Sequence, residues 1–195
     1  MNPLLLILAV DKPLEKTILE TFRIETECVI PYIEKFPNST GDISKICLER
    51  AEKKALKVSK RSPHAIIVGV DSQILIDGKK IENHENEIEA FNQLQELSGK
   101  TLSYLSCFAI IDGSRNKYIS DTKTTNYTLR DFDDKEIRRI IEENQGKIDT
   151  IFNPVEQAFK TYIFEETNGD PYHYLGIPLA TIIKTLREEF NLPIV

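Results

Sequence analysis

One carboxylate interrupts the most apolar stretch of this chain. Ile66 to Lys80 reads IIVGVDSQILIDGKK, and Val68, Val70, Ile74 and Ile76 around Asp71 all suit a sheet interior. Burying a carboxylate without a partner is costly. Asp71 therefore ends a strand, faces a cleft, or is held by hydrogen bonds. Two readings stand: a turn-forming Asp between two strands, or a cleft-side carboxylate serving metal or phosphate chemistry. Other reactive side chains are sparse. His64 lies in the loop before this stretch. His173, between Tyr172 and Tyr174, either contacts a base or packs in the last strand. Cys28, Cys47 and Cys107 lack paired-motif spacing, so no disulfide framework or zinc knuckle follows. They read as small buried hydrophobes.

The elements that must position Asp71 follow from the apolar pattern. Leu4 to Val10 reads as a strand covered on both faces, too short to span a bilayer. Asp11 caps the helix that follows, with Pro13 in its first turn and Leu14, Ile18, Leu19 and Phe22 at helical spacing. Cys28 to Ile33 is expected to be a second strand, closed by Glu34. After a loop over Phe36 to Asp42, a helix carries Ile43, Ile46, Cys47, Ala51 and Ala55. Lys53, Lys54, Lys57, Lys60 and Arg61 make its end basic, which suits the helix dipole, and each reads as part of a solvated face.

Asp77-Gly78 is a hairpin turn. Beyond it, Ile88, Phe91, Leu94 and Leu97 predict a helix stopped by Ser98-Gly99. A strand is expected over Thr101 to Ile111 and one or two more over the Thr- and Tyr-rich Lys117 to Leu129, then a short helix around Ile137, Ile140 and Ile141. Asn168 to Pro171 is a turn, and a last helix uses Leu179, Ile182, Ile183, Leu186 and Phe190. Hairpins combined with strand-helix-strand crossings make an α/β fold with a mixed sheet.

The chain has 195 residues, 41% hydrophobic and 29% charged, enough for one domain over 1–195 with a real core. A net charge of −6 argues against coating DNA. No signal peptide or membrane span is visible, and a reducing cytoplasm is the expected setting.

Several fragments in order resemble the Maf family of nucleoside triphosphate pyrophosphatases, also called septum-formation-inhibitor proteins. The family's Gly-x-Asp-Thr run corresponds to Gly69-Val70-Asp71-Ser72, followed by the Asp77-Gly78 hairpin. Its Leu-Ser-Gly-Lys helix end is Leu97 to Lys100. Its Gly-Asp and Gly-Leu-Pro-Leu are Gly169-Asp170 and Gly176-Ile177-Pro178-Leu179. Its Lys-Ala and Asp-Glu correspond to Lys54-Ala55 and Ile33-Glu34. The resemblance covers essentially the whole chain. It implies a two-lobed, Maf and ITPase-like α/β fold, in which a curved mixed sheet flanked by helices surrounds a central cleft. It also implies homodimers and a required divalent metal, Mg2+ or Mn2+. The implied reaction is hydrolysis of a nucleoside triphosphate to its monophosphate and pyrophosphate.

By that resemblance Glu34, Lys54, Asp71 and Gln157 are the polar site positions that persist. Glu34, Asp71 and Lys54 are the implied catalytic residues, Glu34 and Asp71 also the metal ligands, and Gln157 binds substrate. The departures are pronounced. The family's Ser-x-Ser-Pro-Arg-Arg loop is Val10 to Glu15 here, so both arginines are lost and Glu15 reverses the charge of the second. Glu82, Asn83 and His84 replace its Gly-Lys-Pro. In its Ala-Gly-x-Tyr-x-Ile-Gln-Gly segment only Gln157 survives within Ile151 to Ala158. Lys12, Lys79 and Lys80, with Lys16, are the neighbouring cations available to bind phosphate instead. Two functional readings remain: a divergent, metal-dependent pyrophosphatase, or a catalytically impaired pseudoenzyme that binds nucleotide or a protein partner.

Overall fold

Leu5–Ala9 forms the first strand, β1, in the computed structural model of the chain, which describes residues 5–11, 20, 23, 25–33, 41–81, 86–143, 163–170, 173 and 176–193. Four of its five residues are buried. It pairs in parallel on one side with β2 (Glu25–Val29) and on the other with β3 (Ile66–Ile76). A strand flanked by parallel neighbours and covered on both faces reads as an unbroken apolar run, as here.

The second strand differs from expectation. It starts at Glu25 rather than Cys28 and ends at Val29. Pairing fixes this register, from Leu5 opposite Glu25 to Ala9 opposite Val29. β2 lies at the end of the sheet order and exposes Glu25 and Glu27, which hides it from an apolar scan. Cys28 is accordingly half-buried rather than buried. Beyond the strand, Tyr32 has a positive φ of 45° and could not continue it.

β3 also differs. It is one strand of 11 residues running through Asp71, not two strands with a turn between them. Its first six residues are buried, Asp71 among them. Asp77 and Gly78, with φ of 49° and 76°, then turn it into the short β4 (Lys79–Lys80), antiparallel to Leu75 and Ile76. Positive φ at both central residues is what a tight hairpin needs.

β5 (Thr101–Asp112) and β6 (Lys117–Leu129) complete the centre of a sheet of order β2-β1-β3-β5-β6-β7, with β4 on β3. β7 (Phe164–Asn168) is antiparallel to β6. The mixed α/β fold expected from the sequence is therefore present, with a central sheet flanked by helices.

Two compact units divide the chain. The first comprises Met1–Ser72, Ser106–Lys123 and Ile177–Val195. It holds α1 (Ile43–Ser59), capped by the Asp42 carboxylate, which accepts from the Ser44 and Lys45 amides at 3.0 and 3.4 Å. Its core includes Ile7, Ala9, Ala55, Val58, Ile67 and Ala109. Gly69 lets α1 approach β3. A Cβ there would press on the Ala51 carbonyl oxygen and lie 2.6 Å from the Ala55 nitrogen. The helix after Pro178, α4 (Leu179–Phe190), buries Leu179, Ile182, Leu186 and Phe190 and ends at the left-handed Asn191.

The second unit comprises Gln73–Leu105 and Thr124–Gly176. Its core joins α2 (Glu87–Leu97) and α3 (Asp134–Glu143) through Leu94, Leu97, Leu102, Tyr127, Ile137 and Ile140. Ala90, not Ile88, completes the buried stripe of α2. Ile88 is 74% exposed, because Ala90, Leu94 and Leu97 share the inner face and Ile88 falls outside it. Among the described residues no helix is long and apolar enough to cross a membrane.

Candidate functional site

Cys47, Arg50 and Lys54 recur along α1 at intervals of three and four residues, which places them on one face of the helix. The close approach at Gly69 brings that face against β3. The result is a compact ionic cluster within the first unit, centred on Asp71.

The Asp71 side chain is 1% exposed. Its Oδ1 accepts from Lys54 Nζ at 2.6 Å and from Arg50 Nε at 3.0 Å. Lys54 Nζ also donates to Asp11 Oδ2 at 2.7 Å and to the Val70 carbonyl at 2.8 Å. An ammonium has three N–H donors, and these three acceptors use all of them. Arg50 reaches toward Asp11 as well, with Nη2 3.8 Å from Oδ2. Burial alone would lower the Arg50 pKa, but the adjacent Asp71 carboxylate outweighs it and raises the value, so the guanidinium stays charged. Asp71 Oδ2 is buried and has no hydrogen-bond partner among the described residues.

The Cys47 thiol donates to the Asp71 carbonyl at 3.3 Å. Its hydrogen bond with Cys107, its burial and the Asp71 charge push its pKa far up, so Cys47 stays a protonated thiol. The same bond draws the Cys107 pKa down against burial. Both thiols are free and buried, and both serve as polar contacts as well as hydrophobes.

Of the residues singled out in the sequence, Asp71 and Lys54 are brought into direct contact. Lys54 is not on a solvated face: it is 1% exposed, because its ammonium neutralises the buried aspartate. Lys79 and Lys80 lie exposed on β4 in the second unit. Glu34, Lys12 and Gln157 lie outside the described residues, as do Lys16, Glu15 and His84. Asp11 was expected as a helix cap, and its carboxylate here binds Lys54. Arg50 escaped sequence reasoning altogether. Its four-residue spacing to Lys54 was the available signal. His173, in the second unit, is fully buried, with Nδ1 2.7 Å from Thr125 Oγ1, which also accepts from the Asp170 amide at 3.0 Å. That arrangement fits the packing reading and fastens the Gly169-Asp170 turn.

The oxygen donors at the cluster match a hard divalent cation. Asp71 Oδ2 is an unengaged carboxylate oxygen, and the Asp11 carboxylate, 57% exposed, approaches the same ammonium. Among the described residues no group of three or more His, Cys, Asp or Glu is arranged so that it could hold a metal ion. Magnesium commonly takes one or two carboxylates and completes its shell with water and substrate phosphates, so two acids fit.

A mixed α/β sheet with a lysine-fixed aspartate buried on its central strand is thus the class of protein defined by fold and site. The family model for Maf-like proteins matches residues 5–189, and the chain belongs to that family. It is 25% identical over 187 residues to a dTTP/UTP pyrophosphatase of Thermoanaerobacter sp. (strain X514), covering 95% of this chain and 97% of that protein. It is 28% identical over 178 residues to a dTTP/UTP pyrophosphatase of Caldicellulosiruptor bescii, covering 89% of each. A 7-methyl-GTP pyrophosphatase of Ralstonia nicotianae is 26% identical over 183 residues, covering 93% of this chain and 94% of that protein.

Proposed function

We propose that this chain is a divergent nucleoside triphosphate pyrophosphatase that cleaves the bond between the α and β phosphates. The products are a nucleoside monophosphate and pyrophosphate. The observation that carries this reading is the Asp71 carboxylate, buried, pinned at Oδ1 by Lys54 and left unengaged at Oδ2. The relatives' names, which cover dTTP, UTP and 7-methyl-GTP, supply the substrates to test first.

A bound magnesium or manganese ion supplies charge neutralisation at phosphate and a more acidic bound water. Asp71 and Asp11 would hold it, with Glu34 as a further acid. Lys54 pairs with Oδ1 of the Asp71 carboxylate and fixes its plane, so that Oδ2 is left without a hydrogen-bond partner among the described residues. Val70 and Asp11, by taking the other two Lys54 donors, prevent the ammonium from rotating away. A carboxylate held in place before substrate arrives needs no reorganisation during the reaction.

The altered loop from Val10 to Glu15, which has no arginine, favours a second reading: nucleotide binding without turnover. One experiment separates the two. Purified protein and its Asp71→Asn variant are incubated with dTTP, UTP and 7-methyl-GTP in magnesium or manganese, and the products are resolved. The enzyme reading expects equimolar monophosphate and pyrophosphate from the wild type and a loss of about 100-fold or more in the variant, the scale of a misplaced reacting group. Binding of the nucleotides with no product from either protein would establish the second reading.

A further inference from the structure

We propose that Cys47 and Cys107 are a redox-sensitive pair, in which hydrogen peroxide closes a disulfide that draws the Lys54 face of α1 away from Asp71. The effect on turnover rests on the proposed reading of the site as a nucleoside triphosphate site, whereas disulfide formation does not. All the residues concerned lie in the first unit. Cys47 stands on α1, and Cys107 stands on β5, the strand next to β3 in the sheet. The Cys107 Sγ lies 3.7 Å from the Ser44 carbonyl, one helical turn before Cys47. The two thiols share a hydrogen bond, and both are free. Sulfurs already in contact need only approach to about 2 Å to close the bond.

Both cysteines are buried, but the pair lies one side chain below the surface. Ser44 and Thr122, whose oxygens lie 3.7 and 3.4 Å from the Cys107 Sγ, are half-buried. Such cover excludes bulky disulfides and admits an oxidant little larger than water. Cys107 reacts first, because its sulfur is the one beside half-buried neighbours, while Cys47 is turned to the Asp71 carbonyl. The Cys107 sulfur takes one peroxide oxygen as the O–O bond breaks, giving a sulfenic acid and one water. The Cys47 sulfur then attacks the Cys107 sulfur. The S–S bond forms as the S–O bond breaks, and the Cys47 proton leaves with the hydroxyl as a second water. Each sulfur gives up one electron, and the peroxide is reduced by two. The Cys47 thiol donates to the Asp71 carbonyl at 3.3 Å, and a disulfide has no hydrogen to donate. Cys47 also shares its helix face with Lys54, whose Nζ holds Asp71 Oδ1 at 2.6 Å. Drawing that face toward β5 loosens the Lys54–Asp71 contact, and a displacement of about 1 Å near the chemistry can cost about 100-fold in rate. In a reducing compartment a disulfide of this kind is transient and serves sensing.

The test uses the full-length protein, with hydrogen peroxide as the probe. Folded, reduced wild type is treated with peroxide, desalted and mapped by mass spectrometry without reduction. A Cys47–Cys107 linkage, lighter than the two thiols by two hydrogens, is expected, and dithiothreitol should reopen it. Pyrophosphate release from dTTP should fall by about tenfold or more on oxidation and return on reduction. Cys107→Ser, which cannot form the linkage, should keep its release in peroxide. Should the serine variant not fold, the linkage map of the wild type and the recovery of release with dithiothreitol decide. Absence of the linkage in folded, peroxide-treated wild type, its appearance only in urea, or unchanged release by protein that carries it overturns the inference. A linkage that forms and reopens in a protein hydrolysing no triphosphate even when reduced leaves the redox pair standing and removes the enzymatic reading.

Discussion

Lys54 occupies a buried stripe of α1 between Ala51, Ala55 and Val58, where an apolar side chain would ordinarily pack. Its presence there is explained by Asp71, and the converse also holds. Truncating one partner of a buried pair leaves the other charge without its counterion, at a cost of roughly 3–5 kcal/mol. Arg50 remains beside Asp71, so the lower end applies. Lys54→Met is expected to destabilise the protein by about 3 kcal/mol in urea unfolding at pH 7, and adding Asp71→Asn should recover part of that. A loss below about 1 kcal/mol would show the pair to be solvated.

His173 gives a second residue-scale prediction. Burial lowers its pKa to about 4 from the ordinary 6.5, with Asp170 opposing weakly. Between those values the unfolded chain holds a proton that the folded chain refuses. Stability is therefore complete above pH 6.5 and declines as pH falls toward 4, by roughly 3 kcal/mol in all. His173→Gln should flatten the fall in unfolding free energy between pH 7 and pH 5. An unchanged slope would assign it to other groups. At this scale the sequence shows that Asp71 needs a partner, because a charge inside IIVGVDSQILI is anomalous. It does not show which partner, since Lys54, Arg50 and Asp11 are distant along the chain and meet Asp71 only through packing.

The contact between α1 and β3 is the element-scale device on which the cluster depends. Gly69, Ala51 and Ala55 are small, and the helix backbone lies against the strand there. Gly69→Ala would push a methyl group into the Ala51 carbonyl and the Ala55 amide, neither of which is a flexible side chain end. Overpacking typically costs 1–3 kcal/mol. A loss of about 3 kcal/mol in unfolding free energy is expected, with a fall in activity because Lys54 and Asp71 move apart. A melting temperature within a degree of the wild type would contradict the close packing. The long elements were legible from periodicity: α1, α2, α4, β5 and β6 all lie where the apolar pattern placed them. The errors have physical causes. β2 is exposed on alternate residues, so an apolar scan slid it toward Pro31. β3 was broken at Asp71 because a charge in a strand resembles a turn, and the charge is tolerated only through its tertiary partners.

For the whole molecule, order and spacing of short fragments carried more than any single motif. Gly69 to Ser72, Leu97 to Lys100 and Gly176 to Leu179 are individually common, yet together they identified the family that matches residues 5–189. The site was less legible for the same reason. Where the family-like loop has changed, at Val10 to Glu15, sequence shows the loss of cations but not what the fold supplies in their place. The central claim, that Asp71 is the residue on which pyrophosphate release depends, is tested most directly by one comparison. Pyrophosphate release from dTTP in magnesium is measured for the wild type and for Asp71→Asn, after both are shown to be folded. The account predicts measurable release by the wild type and at least about 100-fold less by the variant. Equal release by the two proteins would contradict it.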